Sequence, residues 1–295
     1  MIDKKKIYMR VMTSWFNSLI IFLVLSIIML MIVGAASYFG GARIIIPILM
    51  TGSLFGLTIW LLSEPIVVAY SKARAPDPEK HANFIKIVDE LSQQFRWWIK
   101  PRLYLLEMKI KNPEKEEPIP IPNAAAFGIG FLGQYAIGIT EPIYNLLSYD
   151  ELKAVIAHEI GHIRSKDVGL MTTFVIITNG AEQIAKLFTS GKTALGKSPV
   201  SMVLGLIMYV VAKLFFPIGR SALSQEREFN ADALATLYTG TPEHLISGLK
   251  KMQEWSIANL PEKPHHILDD VLISHPKMDN RLETLQSYQT EKETT

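Results

Sequence analysis

Two long uncharged runs near the N-terminus limit what this chain can fold into. No charged residue lies between Arg10 and Arg43, and residues 19–36 within that gap are almost all large and apolar. Such a run is long enough to cross the roughly 30 Å hydrocarbon core of a bilayer as a helix. A second uncharged run covers residues 44–63. A cleavable signal peptide has a shorter apolar part and no second span after it, so the pair predicts a transmembrane helical hairpin.

Basic residues at the ends of this hairpin predict its orientation. They precede the first run and follow the second, whereas the connection between the runs holds only Arg43. These flanking residues are Lys4, Lys5, Lys6 and Arg10 on one side and Lys72, Arg74 and Lys80 on the other. The positive-inside rule then places both ends of the hairpin in the cytoplasm. We therefore predict a multi-pass protein of the cell (plasma) membrane whose chain beyond about residue 72 starts on the cytoplasmic side.

Two further apolar stretches, at about 168–188 and 198–219, allow several interpretations. Each could span the membrane, enter and leave it on one side, or form a buried helix of a soluble domain. The sequence therefore leaves both two and four spans open. It predicts a membrane anchor at residues 1–72, with two transmembrane helices, and a second domain at residues 73–295 that the later apolar helices interrupt.

Composition excludes several classes of function. The 295 residues include no cysteine, which excludes a disulfide framework, a thiol nucleophile and a zinc site built on thiolates. The 30 Lys and Arg residues nearly balance the 28 Asp and Glu residues, so there is no electrostatic basis for binding nucleic acid.

The polar part of the chain predicts helices with a small sheet. Apolar residues at helical spacing predict an amphipathic helix over residues 81–95, and residues 103–106 predict a strand. Residues 112–122 are rich in Pro, Glu and Lys and predict a surface loop. A β-hairpin is expected over residues 123–140. The predicted fold class is mainly α with a small β-sheet (α+β). The N-terminal transmembrane hairpin and the two further apolar helices are additional to this domain.

The motif His158-Glu159-Ile160-Gly161-His162 carries the strongest chemical signal. Ser148 and Glu151 have the spacing of a capping box, so they predict the start of the helix that holds this motif. On that helix His158 and His162 lie one turn apart on one face and can reach a single zinc ion. Glu159 can then take the proton of an attacking water as general base.

A zinc enzyme of this kind needs a third protein ligand, which must come from further along the chain. Glu228 and Asp232 are four residues apart, on one face of a predicted helix. One carboxylate can bind zinc while the other accepts an N–H from a ligand histidine. Glu226 is a rival ligand that faces a different direction. The other histidines, His81, His244, His265 and His266, show no partner pattern, and we expect them at the surface.

With these motifs the chain resembles the membrane-anchored gluzincin proteases, which include the HtpX-like enzymes and, more distantly, the CaaX prenyl proteases. The resemblance rests on residues 123–126, 147–162 and 227–232, and on Ser274-His275-Pro276 with Arg281. It covers most of the chain, including the N-terminal pair of spans. The chain is short for the CaaX branch, so the HtpX-like branch is favoured.

The resemblance implies a role for each matching residue. His158, His162 and Glu228 would bind one Zn²⁺, Glu159 would be the catalytic glutamate, and Asp232 would support a ligand histidine. His275 and Arg281 would lie near the metal and donate hydrogen bonds to the oxyanion. A strand that starts with Asn123, Ala124, Ala125 and Ala126 would hold an extended substrate by main-chain hydrogen bonds.

The sequence therefore predicts a membrane-anchored zinc endopeptidase with its site facing the cytoplasm. The resemblance implies unfolded or membrane polypeptides as substrates, in quality control of misfolded or damaged membrane proteins. Two alternatives stay open: a catalytically silent membrane scaffold that retains a zinc site, and a narrowly specific processing protease of the CaaX type. The partners expected are the lipid bilayer and these polypeptides; the sequence predicts no oligomeric state.

Overall fold

The chain divides into two compact units. The structure, a computed structural model, describes residues 2–13, 63–94, 100–110, 117–129, 134–165, 199–260 and 278–289, together with Asp167 and a few other isolated positions. The first unit comprises Met1–Ser14, Leu62–Val168 and Gln225–Thr295. The second comprises Trp15–Leu61 and Gly169–Ser224.

The described residues form a mainly helical protein with a small sheet, which confirms the predicted fold class at that level. Residues 4–13 are helical. The further helices are α1 (Ser63–Tyr70), α2 (Ala82–Gln94), α3 (Glu141–Leu146), α4 (Tyr149–Arg164), α5 (Pro199–Thr239), α6 (Glu243–Asn259) and α7 (Met278–Gln286). The strands are β1 (Arg102–Leu106), β2 (Lys109–Ile110), β3 (Ile119–Pro120), β4 (Ala124–Ile129) and β5 (Gln134–Thr140).

The main sheet has three strands in the order β1-β5-β4. Strands β4 and β5 pair antiparallel, from Ala124 opposite Ile139 to Ile129 opposite Gln134, which confirms the predicted hairpin. Strand β1 pairs with β5 in parallel. Strand β4 is therefore at an edge of this sheet. Strands β2 and β3 form a separate antiparallel pair, so the predicted loop at 112–122 contains a short strand near its end.

Helix α2 packs its apolar face into the core of the first unit. Phe84, Ile87 and Leu91 have no exposed surface, as the spacing of apolar residues predicts. They belong to one buried cluster with Ile137 of β5 and Ile156 of α4. Burial of each large side chain contributes about 1.5–3 kcal/mol to stability. The cluster therefore provides α4 with a rigid support.

Helix α4 begins with the predicted capping box. The Ser148 side chain accepts the N–H of Glu151, and the Glu151 carboxylate accepts the N–H of Ser148 at 2.8 Å. The same carboxylate accepts hydrogen bonds from Ser247 and Lys251 of α6, at 2.6 and 2.8 Å. Glu151 thus fixes the start of α4 and joins this helix to α6.

The predicted membrane spans receive no structural test. The stretches at 19–36, 44–63 and 168–188 lie almost wholly outside the described residues, and the backbone of residues 199–219 is part of α5. Among the residues described, no helix is both long and apolar enough to cross a bilayer.

His81 is buried, so the expectation of a surface position was wrong. Only 2% of its surface is exposed. Its Nδ1 accepts the N–H of Asp77 at 3.0 Å, and its Nε2 lies 3.2 Å from Glu141 Oε1. Both ring nitrogens therefore have partners, and no sequence spacing indicated Glu141 as one of them.

The substitution Glu151→Gln should lower the free energy of unfolding by about 2 kcal/mol at neutral pH. The pKa of Glu151 is lowered to about 2, because the hydrogen bonds from Lys251, Ser247 and Ser148 outweigh burial, which alone would raise it. In the unfolded chain the pKa is near its ordinary value of 4.5. The ionised carboxylate therefore stabilises the fold fully above pH 4.5, and this contribution is lost as the pH falls toward 2.

Urea unfolding of the detergent-solubilised protein at pH 7 and pH 3 measures this effect. The difference between wild type and variant should shrink at the lower pH. Asp150→Asn is the control, because Asp150 is exposed in the same helical turn. An equal loss of stability in both variants at both pH values would contradict the role given to Glu151.

Candidate metal centre

Helices α4 and α5 bring two imidazoles and one carboxylate to one point. Nε2 of His158 lies 3.1 Å from Nε2 of His162. The Glu228 carboxylate lies 3.4 Å from each of these nitrogens, through Oε2 to His158 and through Oε1 to His162. His158 and Glu228 are each 5% exposed. The structure therefore brings together the three residues that the sequence predicts as metal ligands.

The spacing of these atoms suits a tetrahedral ion. Ligand atoms about 2.0–2.1 Å from such an ion are separated from one another by about 3.3 Å. The net charge of the surrounding groups also favours a divalent cation. Four carboxylates and two guanidinium groups give a net charge of two minus. These groups are Glu159, Asp167, Glu228 and Asp232, with Arg227 and Arg281.

Asp232 and Arg281 hold His158 from behind. Nδ1 of His158 lies 2.9 Å from Oδ1 of Asp232, which has no exposed surface. Arg281 of α7 donates to both oxygens of Asp232, through Nε at 2.9 Å and Nη2 at 2.7 Å. Such a bidentate pair fixes the carboxylate in position and leaves Nε2 of His158 directed at Glu228 and His162.

Asp167 and Arg227 hold His162 in the same manner, and sequence reasoning did not predict either role. Nδ1 of His162 hydrogen bonds to Oδ2 of Asp167 at 2.9 Å. Nη1 of Arg227 donates to Oδ1 of Asp167 at 2.9 Å, and both residues are buried. The available signals were weak: an acidic residue five positions after His162, and a basic residue beside Glu228.

The carboxylates raise the proton affinity of both imidazoles. Burial lowers the pKa of His158, but the hydrogen bonds with Asp232 and Glu228 outweigh it, and the pKa is raised. Burial also lowers the pKa of His162, but the negative charge of Glu228 and the hydrogen bond with Asp167 outweigh it. The pKa of His162 is therefore raised well above the ordinary value. The same negative environment attracts a divalent cation, and a proton on either ligand nitrogen competes with it.

Glu159 connects the centre with the edge of the sheet. Its carboxylate Oε2 accepts the N–H of Ala126 at 2.9 Å. This N–H therefore points away from β5, to the side of β4 on which the described residues form no strand. Glu159 lies between the ligand histidines and the strand that the sequence predicts as the substrate strand.

A close approach of α4 and α5 makes this arrangement possible. A Cβ atom at Gly161 would lie 3.0 Å from the Cα of Ala231 and 3.2 Å from its carbonyl oxygen. Glycine between the two ligand histidines thus lets the backbone of α5 come near enough for Glu228 to reach them.

Other predicted site residues take the following positions. Glu226 pairs with Arg10 at 3.3 Å, whereas Glu228 faces the histidines. Nη1 of Arg281 lies 3.3 Å from Glu228, so Arg281 is at the centre as expected; donation to an oxyanion stays a prediction. Directly before β4, the N–H of Asn123 donates to the Thr140 hydroxyl, and the carbonyl of Asn123 accepts the N–H of Thr140. His275 lies outside the described residues.

Comparison with known proteins defines the class. The profile of Peptidase family M48 matches residues 108–289, well over half of the chain and including all the residues of the centre. This match, together with the similarity to proteases along most of the chain, shows that the protein is a metalloprotease. The chain belongs to peptidase family M48.

Several relatives extend the similarity beyond the profile. The chain is 28% identical over 268 residues to a "Protease HtpX homolog" of Aquifex aeolicus, covering 83% of this chain and 84% of that protein. It is 30% identical over 229 residues to the homologue of Pyrococcus abyssi, covering 76% and 74%. These matches confirm the resemblance to HtpX-like enzymes.

A solved structure shows a similar fold. The crystal structure of S. mikatae Ste24p matches with a TM-score of 0.56 and 17% identity. The match covers 92% of this chain, and the chain spans 66% of the length of Ste24p.

We expect Asp167→Asn to weaken zinc binding by about 10- to 100-fold, because it removes the negative charge that holds the His162 ring and raises its basicity. Competition with a chromophoric chelator measures the affinity. Asp89→Asn is the control, since Asp89 is partly exposed on α2 and pairs with Lys100. Unchanged zinc affinity in Asp167→Asn, with wild-type thermal stability, would show that Asp167 does not support the ligand.

A methyl group at residue 161 should separate α4 from α5. We expect Gly161→Ala to lower the free energy of unfolding by about 1–3 kcal/mol through overpacking, and to weaken zinc binding as well. Gly248→Ala on α6 is the matched control, because its Cβ would meet neighbours at an ordinary 3.6 Å. Urea unfolding and chelator competition on both variants make the comparison. Equal behaviour of the two variants would contradict the role of Gly161.

Proposed function

We propose that this protein is a zinc-dependent endopeptidase anchored in the membrane, with Zn²⁺ bound by His158, His162 and Glu228. One observation carries the proposal: two imidazole nitrogens and one carboxylate meet at distances of 3.1–3.4 Å, and each histidine has a buried carboxylate behind it. The donor set of two imidazoles and one carboxylate is that of catalytic zinc sites, which leave a position for water.

Glu159 is the general base of the proposed reaction. When bound, zinc supplies a Lewis acid for the scissile carbonyl and for water. The Glu159 carboxylate takes a proton from the attacking water and delivers it to the leaving amine. In the present structure this carboxylate accepts the N–H of Ala126, so substrate and water must share or replace that contact.

Strand β4 is the proposed binding site for an extended polypeptide. Neighbouring residues of a strand direct their N–H and C=O groups to opposite sides. The N–H of Ala126 points to the free edge, so the main-chain groups of Ala124 point there too. A substrate that pairs with these groups runs along the edge, directly beside Glu159. Asn123 holds the start of the strand through its bonds to Thr140.

Topology supports a membrane anchor with its active site in the cytoplasm. Residues 1–14, 62–168 and 225–295 form one unit, so the chain leaves that unit after residue 14 and returns by residue 62. It leaves again after residue 168 and returns by residue 225. Each of the two segments outside this unit, 15–61 and 169–224, must then cross the bilayer an even number of times. The basic flanks of the first pair put this unit on the cytoplasmic side.

The proposed substrates are unfolded segments of misfolded or damaged membrane proteins. Main-chain pairing along an edge strand depends little on the side chains of the bound polypeptide, which suits an enzyme that must accept many unfolded chains. The resemblance to HtpX-like enzymes supports the quality-control role.

The decisive experiment is digestion of an unstructured polypeptide by the detergent-purified protein, with and without zinc. Wild type should cleave it in a zinc-dependent manner. Glu159→Gln should lower kcat by about 10²- to 10⁴-fold, because it removes the general base and leaves the three zinc ligands in place. Glu254→Gln, an exposed position on α6, is the control and should cleave like wild type.

Three results are distinguishable. Zinc-dependent cleavage that disappears in Glu159→Gln supports the proposal. Bound zinc without cleavage in either protein would favour a silent scaffold or a narrowly specific processing protease. Cleavage that persists in Glu159→Gln would show that the general base has been assigned wrongly.

A further inference from the structure

The segment before the first apolar run is part of the catalytic unit. Asp3 Oδ1 accepts the N–H of Lys6 and so caps the start of helical residues 4–13. Ile7 has no exposed surface and belongs to the same buried cluster as α4. The N–H of Asp3 donates to the carbonyl of Tyr288 at 2.9 Å, and Ile2 forms a β-bridge with Gln289.

Arg10 of this segment contacts α5 on both sides of Glu228 in sequence. Its Nη2 lies 3.3 Å from Glu226 Oε2, and its guanidinium lies 4.7 Å from the centroid of the Phe229 ring. Glu226 and Phe229 are three residues apart and so lie on one side of the helix. Glu228 points in another direction, to the two histidines.

Both partners of the contact are shielded from solvent. The side chains of Arg10 and Glu226 are 25% and 20% exposed. An ion pair at such a depth is less screened than one at the surface, and the aromatic ring adds a cation–π contact. A guanidinium held from two directions restrains the rotation of α5 about its axis.

The same segment also reaches the chain that carries Arg281. Tyr288 and Gln289 lie two and three residues after the end of α7, and Arg281 of α7 is the partner of Asp232. Residues 2–10 therefore contact α5, which supplies Glu228, and the chain just after α7, which supplies the support of His158.

We propose that Arg10 is a positioning residue for Glu228: by holding Glu226 and Phe229, the N-terminal segment fixes the rotation of α5 that directs Glu228 to the histidines. The inference rests on the proposed zinc site. It assigns to the residues before the first apolar run a role in the metal centre as well as in orientation within the bilayer.

Zinc affinity of the full-length protein in detergent tests this role. Arg10→Ala should bind zinc about tenfold more weakly, near the low end of the cost of losing a support outside the ligands. Arg10→Lys, which retains the charge but not the planar fork, should recover part of the affinity. Lys5→Ala is the matched control: it removes a cation from the same segment at an exposed position, and it should bind like wild type.

Glu226→Gln removes the negative charge from the same contact and should also weaken zinc binding. If the two residues act through one contact, the double variant Arg10→Ala with Glu226→Gln should bind no more weakly than the weaker single variant. This pattern also serves if Arg10→Ala folds poorly, since Arg10→Lys and Glu226→Gln keep the segment in place.

The outcomes separate this inference from the proposed function. Wild-type zinc affinity in both Arg10→Ala and Glu226→Gln would overturn the positioning role and leave the zinc protease intact. An equal loss in Lys5→Ala would also overturn it, because the effect would then follow net charge. A wild-type protein that binds no zinc would overturn the proposed function, and the inference with it.

Discussion

An excess of buried negative charge is the constraint on which the rest of this structure depends. Isolated buried carboxylates are costly, so each must be paired and hydrogen bonded. Here Arg281 faces Asp232, and Arg227 faces Asp167. The charge that these two arginines leave unbalanced is what makes the site suited to a divalent cation. The elements around the site are arranged to supply those arginines: α5 gives one, and α7 gives the other.

Helix α5 satisfies several of these demands within two turns. Glu226 contacts the N-terminal segment, Arg227 contacts Asp167, and Glu228 faces the histidines. Asp232 lies one turn beyond Glu228, behind His158. Since successive residues of a helix point about 100° apart, one rotation of α5 must suit every contact at once. A small displacement at one of these contacts therefore changes the others. Gly161 allows the close approach of α4 and α5 that makes the contacts possible.

The sequence was most informative where a short spacing determines the structure. The capping box of Ser148 and Glu151, the apolar face of α2 and the hairpin of β4 and β5 all depend on local patterns, and the structure confirms them. The meeting of the histidines with Glu228 was predictable because helical periodicity and family resemblance agree. These signals hold within one element or between motifs of fixed order.

Long-range pairing of charges was not predictable in the same way. Asp167 and Arg227 are sixty residues apart, and neither has a spacing that indicates the other. His81 was expected at the surface because its partner, Glu141, is equally distant in sequence. The sequence predicted that Arg281 lies near the metal, but it did not predict the bidentate contact of Arg281 with Asp232. Such contacts are decided by which helices pack side by side, and this follows from the hydrophobic core as a whole. The supports of a metal site are therefore harder to predict than its ligands, although the ligands depend on them.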